Sequence, residues 1–73
     1  MNYKHLFYFW HVAENGHLTQ TAQKLHVSQS ALSAQIKQLE EWFGTPLFER
    51  QGRQLVLTEA GYIARQYASR IFH

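Results

Sequence analysis

Apolar residues recur along this chain with two periods, and the change of period divides it. From about Tyr3 to Asn15, the residues Leu6, Phe9, Trp10 and Ala13 follow the i, i+3, i+4, i+7 spacing of a helix with one buried stripe. Phe7 and Val12 widen that stripe. Asn15-Gly16 stops the helix, because both residues tolerate the left-handed conformation of a helix end. Thr19 is placed to cap a second, short helix through Leu25. Ala22 and Leu25 are its inward residues, and Ala22 is small enough to let another helix approach closely. His26-Val27 is a tight connection. Ser28 then caps a third helix, with Val27 and Leu32 at the spacing of a hydrophobic staple. Leu32, Ile36, Leu39 and Phe43 form its buried face. Gly44 ends it, and Pro46 keeps it from restarting.

Beyond Pro46 the period falls to two. Phe48, Arg50, Leu55 and Leu57 alternate with polar residues about Gly52, the pattern of a small β-hairpin. Thr58 caps a last helix, with Leu57 and Tyr62 in staple positions. Ile63, Tyr67 and Ile71 repeat every four residues along it. The order helix, helix, helix, hairpin, helix predicts a mainly α fold of the winged helix-turn-helix type. Residues 18–37, approximately, are the helix-turn-helix, and residues 47–57, approximately, are the wing.

The chain has 73 residues, enough for one domain. Its content of hydrophobic residues, 45%, with aromatics at 15%, can fill a small core and argues against disorder. Without cysteine there is neither a disulfide framework nor a thiolate metal site. No apolar run approaches the roughly 18 residues of a membrane span. The N-terminus lacks the basic, apolar, small-residue order of a signal peptide. A soluble, cytoplasmic protein without a membrane partner is expected.

Five histidines raise the question of a metal, but their spacing does not answer to one. His5 and His11 are six apart, His17 and His26 lie on different elements, and no carboxylate stands beside any two of them. No metal and no cofactor is expected, and His11 reads as a partly buried polar residue of the first helix. An enzyme needs a nucleophile, a base and an oxyanion site together. The serines here sit at caps or on a helix face with no histidine or acid beside them, so an enzyme is not expected either. The aromatic run Phe7, Tyr8, Phe9, Trp10 points all around a helix and cannot form one stacking platform for single strands. Those rings are expected to face the core on one side and the last helix, or a second subunit, on the other.

The net charge of +2 points only weakly to an anionic partner, and placement says more. On a wheel of the third helix, the face opposite the core carries Ser30, Ser33, Ala34, Lys37 and Glu41, with Gln29 at the N-terminal edge. Neutral amides and hydroxyls of this kind read base edges in a major groove. The helix-turn-helix spacing presents that helix outward, Lys37 follows one turn on, and the hairpin adds Arg50 and Arg53. A wing arginine can enter a minor groove or hold a phosphate. The plainer alternatives are a solvated face, a solubilising charge at Arg53, and an Arg50 paired with Glu49, Glu40 or Glu41. A winged-helix module that binds only protein is the rival reading. An exposed apolar patch around Phe7, Trp10 and Tyr67 would favour it.

Three segments are more specific. AQKLHVSQSALSAQIKQLE from Ala22, GTPLFER from Gly44 and LTEAG from Leu57 stand in an order and spacing that resembles the N-terminal domain of LysR-type transcriptional regulators. The opening NYKHLFYFWHV from Asn2 is similar to the NhaR-type subgroup. The resemblance covers nearly the whole chain. It implies a winged helix-turn-helix domain over residues 1–58 that binds double-stranded promoter DNA as a homodimer, and a linker helix beginning at residues 59–73. It implies base contacts at Ser28, Gln29, Ser30 and Ser33, and backbone contacts at Gln20 or its neighbours, Lys37, Arg50 and Arg53. Two positions depart from the family: many members have proline where this chain has Ser30 and arginine where it has Ala34. The second departure bears on which DNA sequence is read. Linker helices of the family pair between subunits, which nominates Ile63, Tyr67 and Ile71, unless these pack on Phe7 and Trp10 within the chain. Family members continue into an effector-binding domain. The present residues are therefore expected to be a DNA-binding fragment, with any small-molecule effector held elsewhere.

Overall fold

In the computed structural model, which describes residues 1–72, α1 spans Tyr3–Asn15 and is capped by Asn2, whose side chain accepts from the Lys4 amide. It ends at Gly16, which takes φ 83°. After it come α2 (Leu18–Lys24), α3 (Gln29–Phe43), the strands β1 (Phe48–Gln51) and β2 (Gln54–Leu57), and α4 (Glu59–Phe72). This is the predicted winged helix-turn-helix order.

The core has two parts that share α1 and α3. Leu6 and Phe9 pack with Leu39, Leu47, Ala64 and Ala68. Val12 packs with Ala22, Leu32 and Ile36. Early residues of α1 therefore meet late residues of α3, and the two helices run antiparallel. Leu6, Phe9, Val12, Leu32, Leu39 and Leu47 are fully buried. Each such side chain contributes roughly 1.5–3 kcal/mol by leaving water, which sets α1 and α3 as the rigid frame.

Ser28 caps α3 as expected, accepting from the Ala31 amide at 3.1 Å. Thr58 likewise accepts from the Gly61 amide at 3.0 Å and donates to the Pro46 carbonyl at 2.8 Å, tying the start of α4 to the segment before the wing. The hairpin is antiparallel with Phe48 opposite Leu57 and Arg50 opposite Leu55. Its two-residue turn has Gly52 at φ 63°, the left-handed position that glycine occupies without strain.

Several sequence expectations are corrected. Thr19 does not cap α2: His17 holds that position without a side-chain bond, and Thr19 lies inside the first turn. Leu25 is only half-buried, whereas Thr21 is buried, its hydroxyl donating to the His17 carbonyl at 2.8 Å. Phe43 is not part of the core but 37% exposed. Leu47 takes its place, because the Glu40 carboxylate accepts from the Leu47 and Phe48 amides and folds the chain back over the end of α3. Tyr62 closes no staple and is exposed. The inner face of α4 is Gly61, Ala64 and Ala68. A Cβ on Gly61 would run into the Leu47 carbonyl oxygen and lie 2.9 Å from Leu57 Cδ2. That close approach turns the small-residue face inward and the larger apolar residues of α4 outward.

Candidate nucleic-acid interface

The predicted recognition residues come from three elements. Gln20 is exposed on α2. Ser28, Gln29, Ser30, Ser33, Ala34 and Lys37 are exposed at the N-cap of α3 and along its outer face. Arg50 and Arg53 are exposed on the wing. The antiparallel packing of α1 on α3 buries Leu32, Ile36 and Leu39, and the opposite face is left to solvent by helical geometry alone.

The wing folds back toward this face. A cleft of about 170 Å3 is lined by His17, Leu18, Thr19, Gln20, Gln29, Arg50, Arg53 and Leu55. Gln20, Gln29, Arg50 and Arg53 are thus brought together at one place, although the first and last are 33 positions apart in the sequence. A second cleft of about 200 Å3 joins Ser33 to Arg50 across Leu18, Ile36 and Leu55. Lys37 is set apart: it lines a depression with Glu40, Glu41 and the Gly44–Pro46 turn. Two carboxylates three and four residues along the helix are near enough to offset its charge.

Arg50 forms no ion pair with Glu40, Glu41 or Glu49 among the described residues, so the pairing alternative does not hold. Glu40 is committed to backbone amides instead. Ser28 is partly committed too. Its oxygen serves as the cap and lies 3.3 Å from the Ser30 hydroxyl. Gln29 is held by Thr19, whose hydroxyl donates to Gln29 Oε1 at 2.9 Å. His17 and Thr19, which line the cleft, were not singled out from the sequence. Thr19 read there as a cap, and nothing in its spacing tells a capping threonine from one that faces the next helix.

The last helix has a different outer face. Ile63, Tyr67 and Ile71 are exposed, at 65%, 45% and 41%, with Tyr62 beside them. That exposure speaks against their being taken up in the intramolecular core. The Phe7 and Trp10 rings are half-buried and covered by Phe72 at centroid distances of 5.4 and 5.9 Å. Trp10 Nε1 also donates to Ser69 Oγ at 3.1 Å, and Arg65 pairs with Glu14 at 2.9 Å. Of the apolar patch that would favour a protein-only module, Phe7 and Trp10 are therefore partly covered by α4, whereas Tyr67 stays exposed.

His11 lies between α1 and α2, edge-on to Phe7 at 4.5 Å and lining a small cleft with Glu14, Thr21 and Lys24. Burial lowers its pKa below the ordinary 6.5, Lys24 adds to the lowering, and Glu14 opposes it. No group of three or more histidine, cysteine or acidic residues able to hold a metal occurs among the described residues. No helix of the described residues is long and apolar enough to cross a membrane.

Known proteins share this arrangement. Residues 3–62 match the bacterial regulatory helix-turn-helix proteins of the lysR family. The chain is 49% identical over 71 residues to the uncharacterized HTH-type transcriptional regulator YwqM of Bacillus subtilis, covering 97% of this chain and 24% of that protein. It is 39% identical over 72 residues to the transcriptional activator protein NhaR of Escherichia coli, covering 99% of this chain and 24% of that protein. The structure of a CbnR_DBD–DNA complex superposes with a TM-score of 0.90 at 41% identity, covering 97% of this chain and 82% of that one. The chain spans about a quarter of the length of these curated relatives. With its fold, its helix-turn-helix and its sequence all in agreement, the chain belongs to the LysR family of bacterial regulatory helix-turn-helix proteins.

Proposed function

We propose that this chain is a sequence-reading, double-stranded DNA-binding unit of a cytoplasmic transcription regulator. The carrying observation is the cleft that joins Gln20 and Gln29 of the helix-turn-helix to Arg50 and Arg53 of the wing. Gln29, Ser30 and Ser33 face base edges in the major groove, with Ser28 at the entry as cap and contact. Arg50, Arg53, Gln20 and Lys37 hold the flanking phosphates, Arg53 from the tip of the wing. The likeness to a domain solved on DNA supports this reading.

Residues 59–72 begin the linker helix, and Tyr62, Ile63, Tyr67 and Ile71 pair with the same residues of a second copy. An exposed apolar stripe of this kind on a helix whose other face is already packed is a surface to be covered. A homodimer then sets two third helices on successive half-sites.

Fluorescence anisotropy with the DNA upstream of the chain's own gene and a shuffled control, across a salt series, tests the reading. Preference for the cognate DNA with a steep negative salt slope is expected. Equal binding to both, lost at physiological salt, would reduce the surface to a merely basic one. Absence of binding even at low salt would move the protein-interaction module to first place.

A further inference from the structure

We propose that Thr19 is a positioning residue that holds the Gln29 amide in place for reading a base, an inference that rests on the DNA-binding reading above. Gln29 is the first residue of α3 and Thr19 lies in the first turn of α2. The Thr19 hydroxyl donates to Gln29 Oε1 at 2.9 Å, across the helix-turn-helix and inside the cleft shared with Arg50 and Arg53.

A free glutamine amide offers an acceptor and a donor side by side. That pair matches the N6 donor and N7 acceptor of adenine, which is how glutamine ordinarily reads a base. Here one lone pair of the acceptor is turned back to α2. The amide oxygen has a second lone pair on the side of the NH2 group, so an acceptor and a donor remain side by side for the groove. Thr19 therefore fixes the direction in which Gln29 presents its adenine-matching pair.

The local construction suits this role. Threonine is β-branched, so its χ1 is restricted and its hydroxyl has few directions to take. The frame between the two helices is also firm: Ala22 of α2 is buried against Leu32 of α3. The turn between them passes through His26 at φ 59°, a conformation that non-glycine residues seldom take. Neither Thr19 nor Gln29 is charged, so their bond sharpens base reading without altering the count of phosphate contacts.

The test compares the wild type with Thr19→Val, Thr19→Ser and Gln29→Ala in two measurements. The first is NMR relaxation of the Gln29 side-chain amide in the DNA-free protein. The amide is expected to be ordered in the wild type and in Thr19→Ser, and mobile in Thr19→Val. The second is selection from a random double-stranded library, followed by affinity and salt slope on the selected site. At one base position the wild type is expected to prefer adenine. Thr19→Val is expected to lose that preference by roughly fivefold or more, the scale of one good base contact. Thr19→Ser restores the preference, and the salt slope stays unchanged throughout. Adding Thr19→Val to Gln29→Ala produces no further loss. An amide equally ordered in Thr19→Val, or an unchanged base preference, overturns the positioning role while leaving sequence reading intact. A wild type that selects no sequence at all overturns both. A uniform loss of affinity on all DNA in Thr19→Val would show a merely structural threonine and overturn it as well.

Discussion

The outer faces of α3 and α4 are both left uncovered by the same fold, and their chemistry is opposite. On α3 the exposed residues are small and polar: Ser30, Ser33 and Ala34, with Gln29 at the entry. On α4 they are large and apolar: Tyr62, Ile63, Tyr67 and Ile71. A polar face loses little by standing in water and gains by exchanging water for base edges. An apolar face of this size is stabilised only when another surface covers it. The comparison teaches that exposure alone does not name a partner; the groups exposed do. On the function proposed above, one face meets a hydrated polyanion and the other a second copy of the chain.

The position of α4 is the first thing to break. Gly61→Ala places a methyl group against the Leu47 carbonyl, where neither backbone can give way easily. A loss of about 3 kcal/mol is expected in urea unfolding, the upper range for overpacking, and with it the alignment of the apolar stripe. A second test leaves α4 folded and changes only its outer face. Replacing Ile63 and Tyr67 by lysine should weaken self-association by roughly tenfold or more, since each apolar side chain covered is worth about 1.5–3 kcal/mol. Sedimentation equilibrium reads that change, and an unchanged dimer constant would refute the seam.

The α3 face is sharpened by Gln29→Ala. It should cost about 1–3 kcal/mol on the cognate site and little on random DNA, measured as a difference of two anisotropy titrations. An equal loss on both would remove Gln29 from base reading. The phosphate contacts make a finer distinction. Arg53→Ala should lower the salt slope by about one. Lys37→Ala should lower it by less, because Glu40 and Glu41 share its depression. Equal slopes for the two variants would contradict that electrostatic reading.

The smallest effect belongs to neither face. The folded pKa of His11 lies below its ordinary 6.5, so the unfolded chain binds its proton more readily. Its contribution to stability is therefore full above about pH 6.5 and declines as the pH falls through the folded value. Thermal melts from pH 7.5 to 5 should show this decline, and His11→Gln should flatten it.

Much of this was legible in the sequence because the signals are local. The caps Ser28 and Thr58, the stops at Gly16 and Gly44 and the hairpin about Gly52 each depend on a few adjacent residues. The outer face of α3 was legible for the same reason, since helical period alone opposes Ser33 and Lys37 to Leu32 and Ile36. What was not legible required neighbours distant in sequence. Periodicity marked Phe43 as core and passed over Leu47, because only the capture of the Leu47 and Phe48 amides by Glu40 brings the chain back. The Ile63, Tyr67 and Ile71 stripe could as well have faced inward. The close approach of Gly61 to the Leu47 carbonyl decides against it.

The sequence by itself determined the elements, their order and the polar character of the outer face of α3. These follow from side-chain period, cap chemistry and backbone permissiveness, which act over a turn or two of chain. The tertiary structure alone decided that Arg50 and Arg53 share a cleft with Gln20 and Gln29, that Thr19 holds the Gln29 amide, and which side of α4 is left bare. Each of these depends on where packed helices set groups ten or more residues apart. Burial in a common core fixes that distance, and local propensity carries no record of it.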